Sequence, residues 1–226
     1  MLVVHQWKGL GDYEKKRAEM LAQLGYNVFA ADIYGKGIRP QTPQEAAAEA
    51  GKYKNDRALL RARVRAGLDV LMNHELTDPK RVVAIGYCFG GTTVLELARS
   101  GAEISGVVSF HGGLSTPNPS DAKNIKAKVL ALHGADDPNV PPKEVAGFEE
   151  EMHQGEVDWQ LIAYGGAVHA FTDWNAGTLY QLDQATGGIR ASLSLGTPLP
   201  HFSSMSMTGS HAYLGAMDGV VSVSGV

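Results

Sequence analysis

Short apolar runs alternate along the chain with longer stretches in which apolar residues return every third or fourth position. LVVH (2–5), NVFAA (27–31), RVVAIG (81–86), GVVSFH (106–111), KVLALH (128–133) and DWQLIAY (158–164) are nearly continuous in apolar residues and predict strands. Between them, a helix is predicted from Asp12, placed to cap it, to Leu24, with Gly25 suited to its C-terminal stop. Further helices are predicted over about 43–54, 56–75, 90–101 and 142–154; in the second, Leu60, Val64, Leu68 and Leu71 recur at helical spacing. Strand, helix, strand repeated in this way predicts an α/β fold, a doubly wound and mostly parallel sheet with helices on both faces. Strands this rich in Val, Ile, Leu and Ala fit a sheet covered on both sides.

The pattern changes after residue 173. Of the 44 charged residues, 41 lie in 1–173, and the remainder of the chain carries only Asp183, Arg190 and Asp218. TLYQLD, IRASLSL, SSMSM, AYLGA and VVSVS are short, β-prone and separated by turn signals such as ATGG and MDGV, which predicts a small antiparallel β appendage. Two domains are therefore expected, 1–173 and 174–226, with WNAG (174–177) as the linker.

Composition narrows the function classes. A net charge of −4 gives no reason to expect binding to nucleic acid or to an anionic membrane. No apolar run reaches the roughly 18 residues of a membrane span, and no charged-then-apolar signal segment opens the chain. A lone cysteine cannot form an internal disulfide, so a cytoplasmic setting is expected.

That cysteine stands in VVAIGYCFGG (82–91), where a strand runs into a helix. Gly86-Tyr87-Cys88-Phe89-Gly90 fits the G-x-nucleophile-x-G turn that projects a nucleophile above a sheet. Small residues on either side let strand and helix approach closely. The helix N-terminus favours the thiolate, and the Phe89 N–H points at a developing oxyanion. The alternative is a buried structural cysteine before a glycine-rich turn. Partners follow in the chain order nucleophile, acid, histidine. HGADDPNVP (133–141) supplies Asp137, in a G-x-x-D-x-x-V-P loop, with Asp136 as the alternative acid; YGGAVHAFT (164–172) supplies His169. Asp137 would hold the His169 tautomer, and His169 would take or share the Cys88 proton.

These three stretches, the first extended as GYCFGGTTVLELARSGAEISGVVSFHGGL, make four separated motifs in order with HQWKGLGDYEKKRAEMLAQLGYNVFAADIYGKG from residue 5, and together they resemble the dienelactone hydrolase family over about 1–173. The resemblance implies an α/β-hydrolase fold shorn of its first strands and a cysteine-dependent hydrolase of small carboxylic esters or lactones. It also implies a second oxyanion N–H at Trp7. No cofactor is implied, and no His–carboxylate spacing matches a metal signature. Gln6, Tyr87 and Arg39 are candidate substrate contacts, Arg39 for an anionic group. The chain departs from the family pattern at Gln6, where many members carry an acid, and at Asp173, where an arginine holds the substrate carboxylate. The tail resembles one blade of a quinoprotein-type β-propeller. Its unpaired edges predict self-association.

HGG (111–113) resembles an esterase oxyanion loop but follows the nucleophile; His111 and His133 end strands and read as packing residues. Arg57, Arg61, Arg63 and Arg65 read as a solvated helix face. The alternatives are a broad carboxylesterase or thioesterase on the same residues, or an inactive hydrolase whose tail is a β-type binding module.

Overall fold

In the computed structural model, residues 1–172 are described in full, and the strands within 178–224 by their backbone. The predicted linker 174–177, the boundary near 173 and the side chain of Asp173 lie outside the described residues. The chain divides into two compact units, Met1–His169 and Ala170–Val226.

The first unit runs β1 (Leu2–Val4), α1 (Asp12–Gln23), β2 (Phe29–Ala31), α2 (Pro43–Asn55), α3 (Arg57–Met72), β3 (Val83–Tyr87), α4 (Phe89–Arg99), β4 (Gly106–Phe110), β5 (Lys128–Gly134), α5 (Pro142–Gln154) and β6 (Trp159–Tyr164). The six strands form one sheet in the order β2-β1-β3-β4-β5-β6, every pair parallel. The chain winds outward from β1 to β2, then crosses back to β3 and on toward β6. The reversal opens a crevice at the carboxyl ends of β1 and β3, where open α/β sheets place their ligands.

Strand alternation divides the core in two. Leu2, Val4, Ala84, Val107, Val129 and Ala131 pack with Leu60, Val64, Leu68 and Leu71 of α3, Leu95 of α4 and Phe148 and Met152 of α5. Val3, Ile85 and Tyr87 face the other way, against Tyr13 and Leu21 of α1. The sheet is thus covered on both sides, as continuous apolar strands require.

The helix boundaries hold one surprise. Asp12 is the first helical residue of α1 rather than its cap. Gly11 takes the cap position, and Glu14 accepts the Gly11 N–H at 2.9 Å. Glu14 is buried, because its other oxygen accepts the Gln6 N–H at 2.9 Å.

The arginines of α3 are only in part a solvated face: Arg63 and Arg65 are exposed, whereas Arg57 and Arg61 are half-buried. Every residue of α4 is buried, Glu96 and Arg99 included. Arg99 meets Glu151 of α5 with two bonds of 2.7 Å and gives others to Glu96 (3.0 Å) and the Leu114 carbonyl (2.8 Å). Arg61 reaches in from α3 to Glu96 (2.9 Å) and Asp121 (2.6 Å), and Arg63 donates to the Ile33 carbonyl at 2.8 Å. Arg57 lies 3.9 Å from Glu96, and only Arg65 pairs outward, with Asp69. A charge inside the core must be matched there, so Arg57 and Arg61 turn inward toward Glu96. Replacing Glu151 with alanine should therefore lower unfolding free energy by about 3–5 kcal/mol, the range for breaking a buried pair. Arg65→Ala should stay within about 0.5 kcal/mol. Urea unfolding of both variants measures the contrast, and equal losses would refute the buried pairing of Arg99 with Glu151.

The second unit contains a hairpin of β7 (Thr178–Leu182) with β8 (Ile189–Ser194) and a sheet of β9 (Met205–Thr208), β10 (His211–Ala216) and β11 (Gly219–Ser224), all pairs antiparallel. Each predicted tail segment contributes one strand. Among the described residues no helix is long and apolar enough to cross a membrane.

Candidate active site

Cys88 sits between β3 and α4 with φ 54° and ψ −112°, a conformation that a side chain rarely adopts. The glycines around it make the turn possible. A Cβ on Gly86 would lie 2.0 Å from the Gly90 carbonyl oxygen, and one on Gly90 would lie 2.3 Å from the Val4 carbonyl oxygen. Both distances are far inside van der Waals contact, so only glycine lets α4 rise this close to β3 and β1. The Cys88 N–H donates to the Phe110 carbonyl at 3.0 Å, which ties the turn to β4. The side chain is left half-buried at the carboxyl end of the sheet.

Two loops bring the other expected residues to it. Gly134 ends β5, and a Cβ there would meet the Ala167 carbonyl at 2.6 Å. The 165–169 loop therefore lies directly over the start of the 135–141 loop, held by the Asp136 N–H to the Ala167 carbonyl at 3.0 Å. His169 Nε2 stands 3.1 Å from Cys88 Sγ, and its Nδ1 stands 2.7 Å from Asp137 Oδ2. Asp137 is buried, and its other oxygen accepts the Asn139 N–H at 2.9 Å. Asp136, one residue earlier, is exposed.

Burial is the largest single influence on His169 and lowers its pKa. The hydrogen bond and charge of Cys88, and then those of Asp137, together outweigh it and raise His169 to about 9. The arrangement favours the imidazolium form of His169.

Beside this row lies a group that the strand-end reading gave only a packing role. The His111 ring stands edge-on to His169 with centroids 5.3 Å apart. Burial, and next the charge on His169, push His111 down to about 3. It is a neutral wall, consistent with packing. The HGG stretch it opens is explained by closeness too. A Cβ on Gly112 would lie 2.7 Å from the Gly91 carbonyl carbon, so these glycines let the loop after β4 abut α4.

The dienelactone hydrolase family model matches residues 1–193, which takes in the sheet, all four motifs and the first hairpin of the second unit. The chain belongs to that family. Its fold is shared by a solved dienelactone hydrolase-like promiscuous phosphotriesterase from metagenomic libraries, 42% identical, with a TM-score of 0.74 over 78% of this chain and 73% of that one. A probable 2-oxo-3-(5-oxofuran-2-ylidene)propanoate lactonase from Bradyrhizobium sp is 30% identical over 76% of this chain and 72% of its own. A carboxymethylenebutenolidase assigned in Aquifex aeolicus is 27% identical over 82% and 81%. The protein is thus a dienelactone hydrolase-like enzyme of the hydrolase class.

Within this family member, the residues expected to touch substrate divide. Gln6 and Trp7 lie in the loop after β1, at the crevice, with Trp7 half-buried against the core. Phe89 opens α4, where no intrahelical carbonyl reaches its N–H. Arg39, the candidate for an anionic group, is engaged within the protein. Its donors go to the carbonyls of Leu10 (2.6 Å), Gly35 (3.2 Å) and Ile38 (2.6 Å) and to Asp32 (2.8 Å), so the guanidinium clasps two loops together. Tyr87 is buried, stacked on Phe110 with Tyr13 edge-on, and acts in packing rather than recognition. Sequence reasoning missed Glu14, His5 and Tyr34, which hold the loop after β1. The capping-box position of Glu14 was the one available signal.

Proposed function

We propose that the protein hydrolyses small carboxylic esters or lactones through an acyl-thioester on Cys88. The observation that carries this reading is the continuous row Cys88 Sγ, His169, Asp137, with contacts of 3.1 and 2.7 Å, standing on a strained turn at the carboxyl end of the sheet. The thiolate adds to the substrate carbonyl carbon. The oxyanion is met by the N–H groups of Phe89 and Trp7. Collapse breaks the acyl–oxygen bond, and imidazolium His169 gives its proton to the departing alkoxide. In a lactone that alkoxide stays tethered to the acyl group.

The second half follows from the charges. Once Cys88 is a thioester, its negative charge and its hydrogen bond to His169 are gone, and both had raised the His169 pKa. The neutral imidazole then takes a proton from water, which attacks the thioester. Thiolate is expelled and the acid product released, with Asp137 holding the ring throughout. Gln6 cannot take the thiol proton, so that duty rests with His169.

A second substrate class has its own support. The 42% identical neighbour is named a promiscuous phosphotriesterase, and a thiolate beside two N–H donors suits attack on a neutral phosphoryl centre as well.

Acid quench of turnover with p-nitrophenyl acetate should trap one acetyl group on the peptide containing Cys88. The deacylation rate should rise with pH and level off through a pKa lower than the value of about 9 that His169 has beside the free thiolate. Turnover without any acetylated Cys88 peptide would reject the reading. An aryl dialkyl phosphate as substrate tests the second class in the same assay.

A further inference from the structure

We propose that His5 is a positioning residue for the oxyanion hole, acting through the single peptide group that joins Gln6 to Trp7. The inference rests on the thioester reading above, in which the Trp7 N–H meets the oxyanion.

His5 follows β1 and is fully buried. Its ring stacks on Phe89 with centroids 5.6 Å apart and meets Tyr34 edge-on at 4.6 Å, so its plane is set from both sides. The Ile33 N–H lies 3.1 Å from Nε2. A backbone N–H can only donate, so Nε2 accepts and the ring proton is on Nδ1. Nδ1 in turn donates to the Gln6 carbonyl, 2.5 Å away. Burial keeps the ring neutral and pushes its pKa down to about 4, against the opposing pull of the Gln6 carbonyl and of Asp32 at 3.9 Å.

The Gln6 carbonyl and the Trp7 N–H are two ends of one planar group. A donor on that oxygen fixes the plane in which the N–H lies. It also draws charge through the amide, which makes the N–H a stronger donor. The chain Ile33 N–H, His5 ring, Gln6 carbonyl, Trp7 N–H therefore ends on the oxyanion.

The neighbouring backbone is held just as firmly. Glu14 accepts the N–H groups of Gln6 and Gly11, both at 2.9 Å, and the Gly9 N–H reaches the Gln6 carbonyl at 3.3 Å. Tyr34 donates its hydroxyl to the Trp7 carbonyl at 2.9 Å. Burial and the nearby Cys88 charge keep that phenol protonated. The groups on either side of the Trp7 N–H are thus taken up, while no acceptor among the described residues takes that N–H itself.

The test compares two reactions of the same sulfur in the full chain. Acylation of Cys88 by p-nitrophenyl acetate builds an oxyanion; alkylation by iodoacetamide does not. His5→Phe should lower the acylation rate roughly ten- to hundredfold, short of the 10²–10³ lost when a whole oxyanion donor is removed. Alkylation should stay within about twofold of the unaltered protein. Asparagine places an amide N–H near the Nδ1 position, whereas glutamine restores only the acceptor near Nε2. His5→Asn should therefore recover acylation better than His5→Gln, and this ranking decides the matter even if His5→Phe does not fold. Parallel loss of acylation and alkylation, or glutamine outperforming asparagine, would reduce His5 to a structural residue. Acylation unchanged in all variants would overturn the inference. Failure of Cys88 to acylate in the unaltered protein would instead overturn the thioester reading.

Discussion

Glycine at Cys88 should abolish ester turnover while leaving the fold as stable as before, or more so. The loss of turnover follows from removing the nucleophile, which in a hydrolase triad costs on the order of 10⁶ in rate. The stability follows from the backbone. Cys88 has φ 54° and ψ −112°, and such strain costs about 1–3 kcal/mol for a residue with a side chain. Glycine relieves it at an entropic cost of up to about 1 kcal/mol. A cysteine kept for packing would behave in the opposite way, since deleting its side chain would lower stability and leave catalysis nearly untouched. Thermal unfolding and an aryl-ester assay on Cys88→Gly separate the two. Residual turnover within tenfold of the unaltered protein, or a clear drop in melting temperature with activity retained, would remove Cys88 from the chemistry.

Asparagine at Asp137 should cost about 10⁴ in turnover, the loss seen for the comparable change in a serine triad. The loop geometry gives the reason. Asp137 Oδ1 accepts the Asn139 N–H at 2.9 Å, and an asparagine would keep its carbonyl oxygen there. Its amide nitrogen would then face His169 Nδ1, where Oδ2 now lies at 2.7 Å. Two donors cannot share that contact, so the imidazole is driven to the tautomer with its proton on Nε2 and its lone pair away from the sulfur. Removing the Asp137 charge and hydrogen bond, both of which raise the His169 pKa, should also move that value below about 9. An NMR titration of His169 would show the downward shift. Asp136→Asn, at an exposed position without a His169 contact, should change turnover by less than about threefold. The reverse ranking would place the acid one residue earlier.

The agreement between sequence and structure is uneven in an instructive way. Strands and helices were legible because each has a period that burial imposes on apolar residues, and six of six strands of the first unit fell where continuous apolar runs predicted them. The nucleophile turn was legible because it constrains sterics within five residues. Gly86 and Gly90 cannot be replaced without overlap, so the close approach of α4 to β3 and β1 leaves a local mark in the sequence. Asp137 rather than Asp136 was preferred for its spacing from Gly134 and Val140; Val140 is buried, and it is Asp137 that meets His169 at 2.7 Å. The division near 173 was read from charge depletion. The compact first unit ends at His169, and the family match runs on to 193.

The arginines were misread for a physical reason. Helical spacing reports which side of α3 meets apolar residues, but nothing in Arg57 and Arg61 shows that Glu96 waits on a wholly buried neighbouring helix. The clasp that Arg39 makes was likewise not legible, since its partners come from two loops that meet only when β1 and β2 pair. His5 and Glu14 left little signal because their roles are hydrogen bonds to backbone groups, which every residue carries alike. By itself, then, the sequence determined the alternation of strand and helix, the glycine-flanked cysteine turn and the loops that carry Asp137 and His169, each a pattern among neighbours a few positions apart. Tertiary structure alone decided which distant polar groups meet, because pairings such as Ile33 with His5, 28 positions apart, and Arg61 with Asp121, 60 apart, depend on the register between packed elements.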